Sequence, residues 1–177
     1  MQTIVRSTVE STLVIALLFG LAPRTCAQSP VWNPATGHYY QAVQGVLSWA
    51  GAKITAESTT YLGMSGHLVT IADDAEDNWV YYTLKGGTLG DYWIGLWQDP
   101  NDSGYSEPSG GWKWVTPEPF TYSHWHSGEP NNAGGAENYG GYWSGFSWND
   151  YVNDGGVQGY VIEYEPSATD ALFQLME

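Results

Sequence analysis

Residues 128–138 read GEPNNAGGAEN, and residues 148–150 read WND. These two segments bring carboxylates and carboxamides together on a backbone rich in turn-forming residues. Calcium takes about six to eight oxygen ligands, and carboxylates and amide carbonyls are the protein groups that supply them. Five side chains are therefore candidate ligands of one calcium ion: Glu129, Asn131, Glu137, Asn149 and Asp150.

The charge of these segments also suits a divalent cation. Glu129, Glu137 and Asp150 give the site a formal charge of −3. Pro130 is a candidate cis proline, which would place the side chains of Glu129 and Asn131 on the same side of a tight turn. The alternative is a polar surface loop, because neither Glu-Pro-Asn nor Trp-Asn-Asp indicates a metal site by itself.

Outward from these segments, the chain divides into a helical first half and a strand-rich second half. Ser48 is a candidate N-cap for a helix over about 49–62. Asp73 begins a second helix over about 73–84, with Glu76 as its capping-box partner. Helices followed by strands and long loops predict an α+β domain. The predicted strands cover 38–43, 67–71, 92–97, 112–115 and 159–164.

Five short motifs follow one another along the chain. They are GHLVTI at 66–71, WIGL at 93–96, YSHW at 122–125 with GEPN at 128–131, WND at 148–150 and GYVIEY at 159–164. Their content and order resemble the C-type lectin-like domain family over roughly residues 32–165. The resemblance implies the C-type lectin-like fold, in which two helices flank small antiparallel sheets and a long calcium-binding loop.

The resemblance also implies a calcium site and a sugar. Glu129 and Asn131 match the Glu-Pro-Asn pair of mannose-type members, and Glu137, Asn149 and Asp150 match the remaining ligands. In the family, two adjacent sugar hydroxyls complete the shell of the ion. Each hydroxyl gives a lone pair to calcium, donates its proton to a carboxylate and accepts from an amide N–H. The implied partner is a mannose-, glucose- or fucose-type glycan.

Aromatic side chains add further candidates. Tyr139 and Trp143 could form a platform for a sugar face beside the five ligands, with packing of the loop as the alternative. His124 and His126 suggest zinc only weakly, because neither a cysteine nor a third nearby histidine accompanies them. Four tryptophans are predicted to belong to the core: Trp93, Trp112, Trp114 and Trp148.

Two features depart from the family pattern. The positions of the family's disulfides hold Tyr61 with Ile162 and Tyr139 with Asn153, which indicates a cysteine-free, bacterial-looking variant. The positions of an auxiliary calcium site carry carboxamides in place of acids, which predicts weak binding there. They are Gln98, Asp102, Asn132 and Asn138, with Glu137 shared.

The N-terminus reads as a signal peptide over residues 1–27, with a short apolar run at 13–21 and small residues before the cleavage point. A buried N-terminal helix and, because of Cys26, a lipoprotein are the alternatives. The expected domain covers 28–165, and 166–177 form a tail. The mature protein is expected to be secreted or extracytoplasmic and not to span a membrane, because the apolar run is too short.

The mature chain would carry three lysines and eighteen carboxylates, a formal charge of −15. Nucleic acid is excluded as a partner by this charge, since its binders need clustered Lys and Arg. No G-x-S-x-G elbow or phosphate-cradling glycine motif occurs, so no enzymatic activity is expected. The predicted function is a calcium-dependent lectin. The alternative is a lectin-like fold used for protein adhesion, matrix contact or ice binding.

Overall fold

The computed structural model describes residues 28–154 and 156–166. The predicted signal peptide and nearly all of the predicted tail therefore lie outside the described residues. Within this range the chain forms two helices and nine strands. The helices are α1 (Trp49–Glu57) and α2 (Asp74–Thr83), and the strands are β1 (Val31–Asn33), β2 (His38–Gln44), β3 (Thr60–Tyr61), β4 (Met64–Leu68), β5 (Tyr92–Gln98), β6 (Trp112–Trp114), β7 (Tyr139–Tyr142), β8 (Trp148–Tyr151) and β9 (Gly159–Tyr164).

All nine strands belong to one hydrogen-bonded network. Its main path runs β1-β2-β9-β5-β7-β8, while β4 pairs with β9 and β3, and β6 pairs with β5. The pairings are antiparallel except that β5 and β9 run parallel. The α+β class is confirmed, although the predicted small sheets are joined through β9. Because β9 pairs with β2, the two ends of the described domain lie side by side.

The first helix begins where the sequence predicts but ends early. The Ser48 hydroxyl accepts from the N–H of Gly51 at 3.1 Å, which confirms the N-cap. The helix stops at Glu57, and the predicted continuation to residue 62 is wrong. Leu62 and Gly63 both adopt positive φ, 50° and 86°, and form a two-residue turn between β3 and β4. Two-residue turns with both residues at positive φ match the twist of a β-hairpin. The residues after α1 therefore pair as β3 and β4 instead of continuing the helix.

The second helix is capped by Asp73, whose carboxylate accepts from the N–H of Glu76 at 2.9 Å. The Glu76 side chain does not return to Asp73 as a capping box would. It accepts instead from the N–H of Ala72 at 2.8 Å and from the Tyr40 hydroxyl at 2.5 Å. The helix start is thereby tied to β2.

Two apolar clusters form the core. One gathers α2 with β5, β6 and β8, and the other gathers α1 with β4 and β9. All four tryptophans predicted to be core are at most 6% exposed. The helices in the described part of the chain are too short and too polar to cross a membrane.

Candidate functional site

The predicted calcium ligands lie on the long segment between β6 and β7 and on β8. The segment is anchored to β8 before it reaches the Glu-Pro-Asn turn, because the N–H of His126 donates to the carbonyl of Trp148 at 2.8 Å. The peptide bond before Pro130 is cis, as anticipated. On β8, Asn149 and Asp150 pair with the glycines of β7. The bond from His126 to β8 and the pairing of β7 with β8 thus hold the Glu-Pro-Asn turn near Asp150.

Asp150 organises the turn. It is completely buried, and one carboxylate oxygen accepts from the backbone N–H of Asn131 at 3.1 Å. The other oxygen accepts from the N–H of Asn132 at 2.7 Å. Within the turn, the Asn131 amide donates to Glu129 Oε1 at 2.9 Å. The structure therefore places Glu129, Asn131 and Asp150 together, as predicted.

Glu137 joins the same group through a short 3-10 turn at Ala133–Gly135. Its carboxylate accepts from the N–H of Ala133 at 2.7 Å, and its own N–H donates to Asn132 Oδ1 at 3.0 Å. Asn132 adopts a φ of 49°, a conformation in which Asn is favoured. Asn132 was expected only at the auxiliary site, yet its side chain accepts from the N–H of Glu137 and its backbone N–H donates to Asp150. Its place in an Asn-Asn turn was the available signal.

The electrostatics of the site are those of carboxylates without a counter-charge. Burial raises the pKa of Glu129, and the neighbouring Asp150 and Glu137 raise it further. Burial also raises the pKa of Glu137, with Asp150 adding to the effect. These shifts follow from like charges crowded in a partly buried site.

One oxygen of Glu129 provides a direct test of whether the residues suit a cation. Glu129 Oε2 is shielded from solvent and has no hydrogen-bond partner among the described residues. A buried carboxylate oxygen without a donor is costly unless a cation satisfies it. On β8, the Asn149 amide donates to the Asp150 carbonyl. The residues present therefore fit a calcium ion.

This loop and its flanking strands lie within a segment that matches a known protein family. Residues 48–161 match the model described as the Lectin C-type domain. The chain belongs to the C-type lectin domain family. At the family level this is a carbohydrate-binding and non-enzymatic domain.

Individual relatives show how far the similarity extends. Halomucin of Haloquadratum walsbyi is 33% identical over 150 residues, which cover 76% of this chain and 2% of that protein. A perlucin-like protein of Mytilus galloprovincialis is 30% identical over 159 residues, covering 87% of this chain and 97% of that protein. The chain thus spans nearly all of one relative and a small fraction of the other.

A solved structure gives the corresponding result in three dimensions. The cow C-type carbohydrate-recognition domain of CD23, in the presence of GlcNAc2Man3 oligosaccharide, superposes with a TM-score of 0.61 and 27% identity. The match covers 78% of this chain and 95% of that chain. The predicted C-type lectin-like fold is therefore confirmed.

The two aromatic candidates of this C-type lectin domain are both engaged in packing. The Tyr139 ring lies 4.8 Å from the ring of Trp49 at the start of α1. The Trp143 ring meets the ring of His126 edge-on at 4.7 Å. Both are half-buried, so each has a face in the protein and a part in solvent. Their role as sugar contacts remains a prediction.

One of the auxiliary positions, Asp102, already has a cation of the protein beside it. The ammonium of Lys113 lies 2.8 Å from the carboxylate of Asp102 and 2.9 Å from that of Asp99. These contacts lower the pKa values of both aspartates. Gln98 donates to the carbonyl of Gly110 at 2.7 Å, and its Oε1 is buried without a described partner. Lys113, which no motif marked, thus neutralises Asp102, the one acid of the auxiliary set besides the shared Glu137.

His124 and His126 do not face one another. Nδ1 of His124 lies 2.8 Å from the buried carboxylate of Asp77, and Nδ1 of His126 lies 3.2 Å from the Ser147 hydroxyl. The first histidine belongs to the hydrogen-bond network of the buried Asp77, and the second is an exposed residue that contacts Ser147 next to β8. This arrangement favours structural roles for both.

Proposed function

We propose that the protein is a calcium-dependent lectin that binds mannose-, glucose- or fucose-type glycans outside the cytoplasm. The observation that carries the proposal is the solvent-shielded Oε2 of Glu129, which has no described donor beside it. Membership of the C-type lectin domain family supports carbohydrate as the ligand class. The similarity to a CD23 domain in the presence of a mannose-containing oligosaccharide supports the sugar type.

Five residues would hold the ion: Glu129, Asn131, Glu137, Asn149 and Asp150. When bound, calcium supplies a centre that accepts lone pairs from two adjacent sugar hydroxyls. Glu129 and Glu137 would accept hydrogen bonds from the sugar hydroxyls, since an ionised carboxylate only accepts. Asn131 and Asn149 would donate amide N–H groups to the remaining lone pairs. The Glu129 and Asn131 side chains are already hydrogen-bonded, so donor and acceptor stand side by side.

Secretion and the domain limits belong to the same proposal. We infer a signal peptide at 1–27, a lectin domain at 28–165 and a short tail at 166–177. The six-residue strand β9 ends at Tyr164, next to the proposed boundary. N-terminal sequencing of the protein recovered from culture medium tests the cleavage site. Recovery only from cell lysate, with Met1 retained, would contradict secretion.

Calcium is expected to raise the melting temperature, because the ion relieves the repulsion among three carboxylates. The expected dissociation constant is on the order of 10⁻⁴ to 10⁻³ M, as in extracellular modules. Thermal melts in chelator and in several concentrations of calcium measure it. An unchanged melting temperature in millimolar calcium would exclude the proposed ion site.

Sugar choice is tested by exchanging the two roles in the turn. The double change Glu129→Gln with Asn131→Asp keeps one acid and one amide, so calcium affinity should fall little. The donor and acceptor pattern offered to the sugar is reversed, and mannose-type binding should be lost. Competition by monosaccharides on a mannose column, with calcium binding measured in parallel, provides both readings.

The matched control is Glu118→Gln with Asn101→Asp, which makes the same two exchanges at exposed positions outside the loop. It should bind mannose as the unchanged protein does. If the loop variant keeps both calcium and mannose preference, the turn does not select the sugar. If the unchanged protein binds calcium but retains no glycan on an array, the adhesion alternative replaces the lectin function.

A further inference from the structure

A second cluster of metal-binding side chains lies on another part of the sheet. His38 comes from β2, His67 from β4, and Glu163 and Glu165 from the end of β9 and the residues after it. His67 stands opposite Glu163 in the pairing of β4 with β9. One ligand atom from each of His38, Glu163 and Glu165 lies within 4.8 Å of the others. The cluster is independent of the calcium loop, since it shares no residue with it.

Hydrogen bonds fix which nitrogen of each histidine is free. Nδ1 of His67 lies 2.9 Å from the carbonyl oxygen of Leu68, and a carbonyl only accepts, so Nδ1 carries the proton. Nδ1 of His38 lies 2.6 Å from the Glu163 carboxylate and donates to it in the same way. Metal-binding histidines are usually oriented by such bonds from their other ring nitrogen. In both rings Nε2 is therefore the atom left for a ligand.

Both Nε2 atoms face the carboxylate of Glu165. Nε2 of His67 is 3.5 Å from Glu165 Oε1, and Nε2 of His38 is 3.8 Å from Glu165 Oε2. The His67 atom is shielded from solvent and makes no hydrogen bond within the described residues. Ligands of a tetrahedral ion with bonds of about 2.0–2.1 Å are about 3.3 Å apart. The separation from His67 is close to that value, whereas that from His38 is longer and joins the other oxygen of Glu165. His67 therefore stands next to the group of His38, Glu163 and Glu165, and an ion would draw its Nε2 inward.

Glu163 has a supporting role in the cluster. It is 1% exposed, and its second oxygen accepts from both the N–H and the hydroxyl of Thr70, at 2.9 and 3.0 Å. Its first oxygen accepts from His38, so both oxygens of Glu163 already have hydrogen-bond donors. Glu165, in contrast, has a side chain that is 32% exposed, and the side chain of His38 is 26% exposed. Solvent thus reaches the cluster from the Glu165 side, which gives an ion a route of entry.

We propose that His38, His67 and Glu165 bind a divalent transition metal, with zinc as the expected ion and Glu163 orienting His38. Two imidazoles and one carboxylate suit zinc, whereas calcium prefers oxygen ligands throughout. Water from the open side would complete the coordination. Without an ion, the glutamates raise the pKa of His38 and, against the opposing effect of burial, they raise that of His67 to about 9, so protonated rings would act as their salt-bridge partners. The two arrangements differ in whether the chain takes up metal.

Calorimetry with zinc tests the proposal on untagged protein that has been stripped with chelator. The titration is made in excess calcium, so that the oxygen-rich loop is already filled. One zinc ion per chain is expected. Cobalt(II) added to the unchanged chain should give the visible absorption of a tetrahedral site, and zinc should remove it. No uptake of zinc, uptake that excess calcium suppresses, or an octahedral cobalt spectrum would each overturn the proposal.

Variants identify the ligands. His67→Gln and Glu165→Gln are each expected to weaken zinc binding about 100-fold or more, because either change removes a ligand. Loss of an orienting partner through Glu163→Gln is expected to weaken it about 10- to 100-fold. His126→Gln is the matched control, since this exposed histidine lies in the calcium-loop region. Melts in chelator verify folding, and Glu165→Gln should fold because its side chain reaches solvent. Unchanged zinc affinity in folded His67→Gln and Glu165→Gln would overturn the proposal.

Discussion

Replacing Glu76 with Gln should alter how the stability of the domain depends on pH. Glu76 lies in the first turn of α2 and is 7% exposed. Its two oxygens accept from the Tyr40 hydroxyl at 2.5 Å and from the N–H of Ala72 at 2.8 Å. Burial, followed by the charge of Glu163, raises the pKa of Glu76 from 4.5 to about 7. The folded protein therefore holds the proton of Glu76 more tightly than the unfolded chain does.

The magnitude follows from the size of this change in pKa. Each tenfold change in the acid constant is worth about 1.4 kcal/mol, so the rise corresponds to about 3 kcal/mol. For an acid whose pKa is higher in the folded state, stability is fully present below the unfolded value. It is lost as pH rises from about 4.5 to about 7 and then stays constant. The unchanged protein should lose about 3 kcal/mol over this interval through Glu76 alone.

Chemical denaturation at several pH values between 4.5 and 8 measures the effect. The free energy of unfolding of the unchanged protein minus that of Glu76→Gln should fall by about 3 kcal/mol across the interval. Taking the difference removes the other titrating groups, and chelator keeps metal from contributing. The Gln amide offers one acceptor oxygen in place of two, so the hydrogen bond from Ala72 or from Tyr40 is lost or reversed, a cost of about 1 kcal/mol that does not vary with pH. Exposed Glu118→Gln is the control and should run parallel to the unchanged protein. A difference for Glu76→Gln that stays constant, or that grows with pH, would refute the reasoning.

Three further perturbations test a buried hydrogen bond, a close backbone approach and the single cysteine. Asp77→Ala should cost about 3 kcal/mol in denaturant melts, because the buried Tyr142 hydroxyl loses its acceptor, and adding Tyr142→Phe should recover part of that loss. Gly159→Ala should largely prevent folding, as judged by circular dichroism, because the added Cβ would lie 2.3 Å from the Val43 carbonyl oxygen. Gly45→Ala is the control and should fold, because the added Cβ there meets free space. Reductant should leave the melting temperature of the chain unchanged, because Cys26 is its single cysteine; a fall on reduction would indicate an intermolecular disulfide.

Local signals in the sequence located most of the elements of the fold. The N-caps at Ser48 and Asp73 and the strand at 159–164 were predicted at the residues where they occur. These features depend on residues close in sequence. The end of α1 could not be predicted in this way. Leu62 and Gly63 turn the chain into the hairpin of β3 and β4, and β4 in turn pairs with β9. A helical pattern carries no information about that competition.

The candidate sites show the same difference between local sequence signals and contacts that only the fold creates. The five proposed calcium ligands could be named from sequence because the family pattern supplies their spacing across a strand pair. The second cluster could not, because His38 and Glu163 are 125 positions apart and meet only through the pairing of β2 with β9. The same is true of Lys113 and Asp99, whose contact depends on how the loop after β5 returns to β6. Neither pair has a sequence motif.

The absence of disulfides explains how the aromatic residues are used. At the positions where the family has cysteines, Tyr139 packs on Trp49 and Asn153 hydrogen-bonds the first two residues of α1, accepting from the N–H of Trp49 at 2.8 Å and of Ala50 at 3.1 Å. Tyr61 lies 5.0 Å from Tyr39 and 5.7 Å from Tyr164, ring to ring. An aromatic pair contributes about 0.5–1.5 kcal/mol beyond its buried area, and a disulfide about 2–4 kcal/mol. Two such pairs at Tyr61, or one pair and two hydrogen bonds at Tyr139 and Asn153, therefore approach the contribution of the missing bond. They act in the folded state, whereas a disulfide acts chiefly on the unfolded chain, so the start of α1 is held against Tyr139 and Asn153 by packing and hydrogen bonds and not by a covalent link.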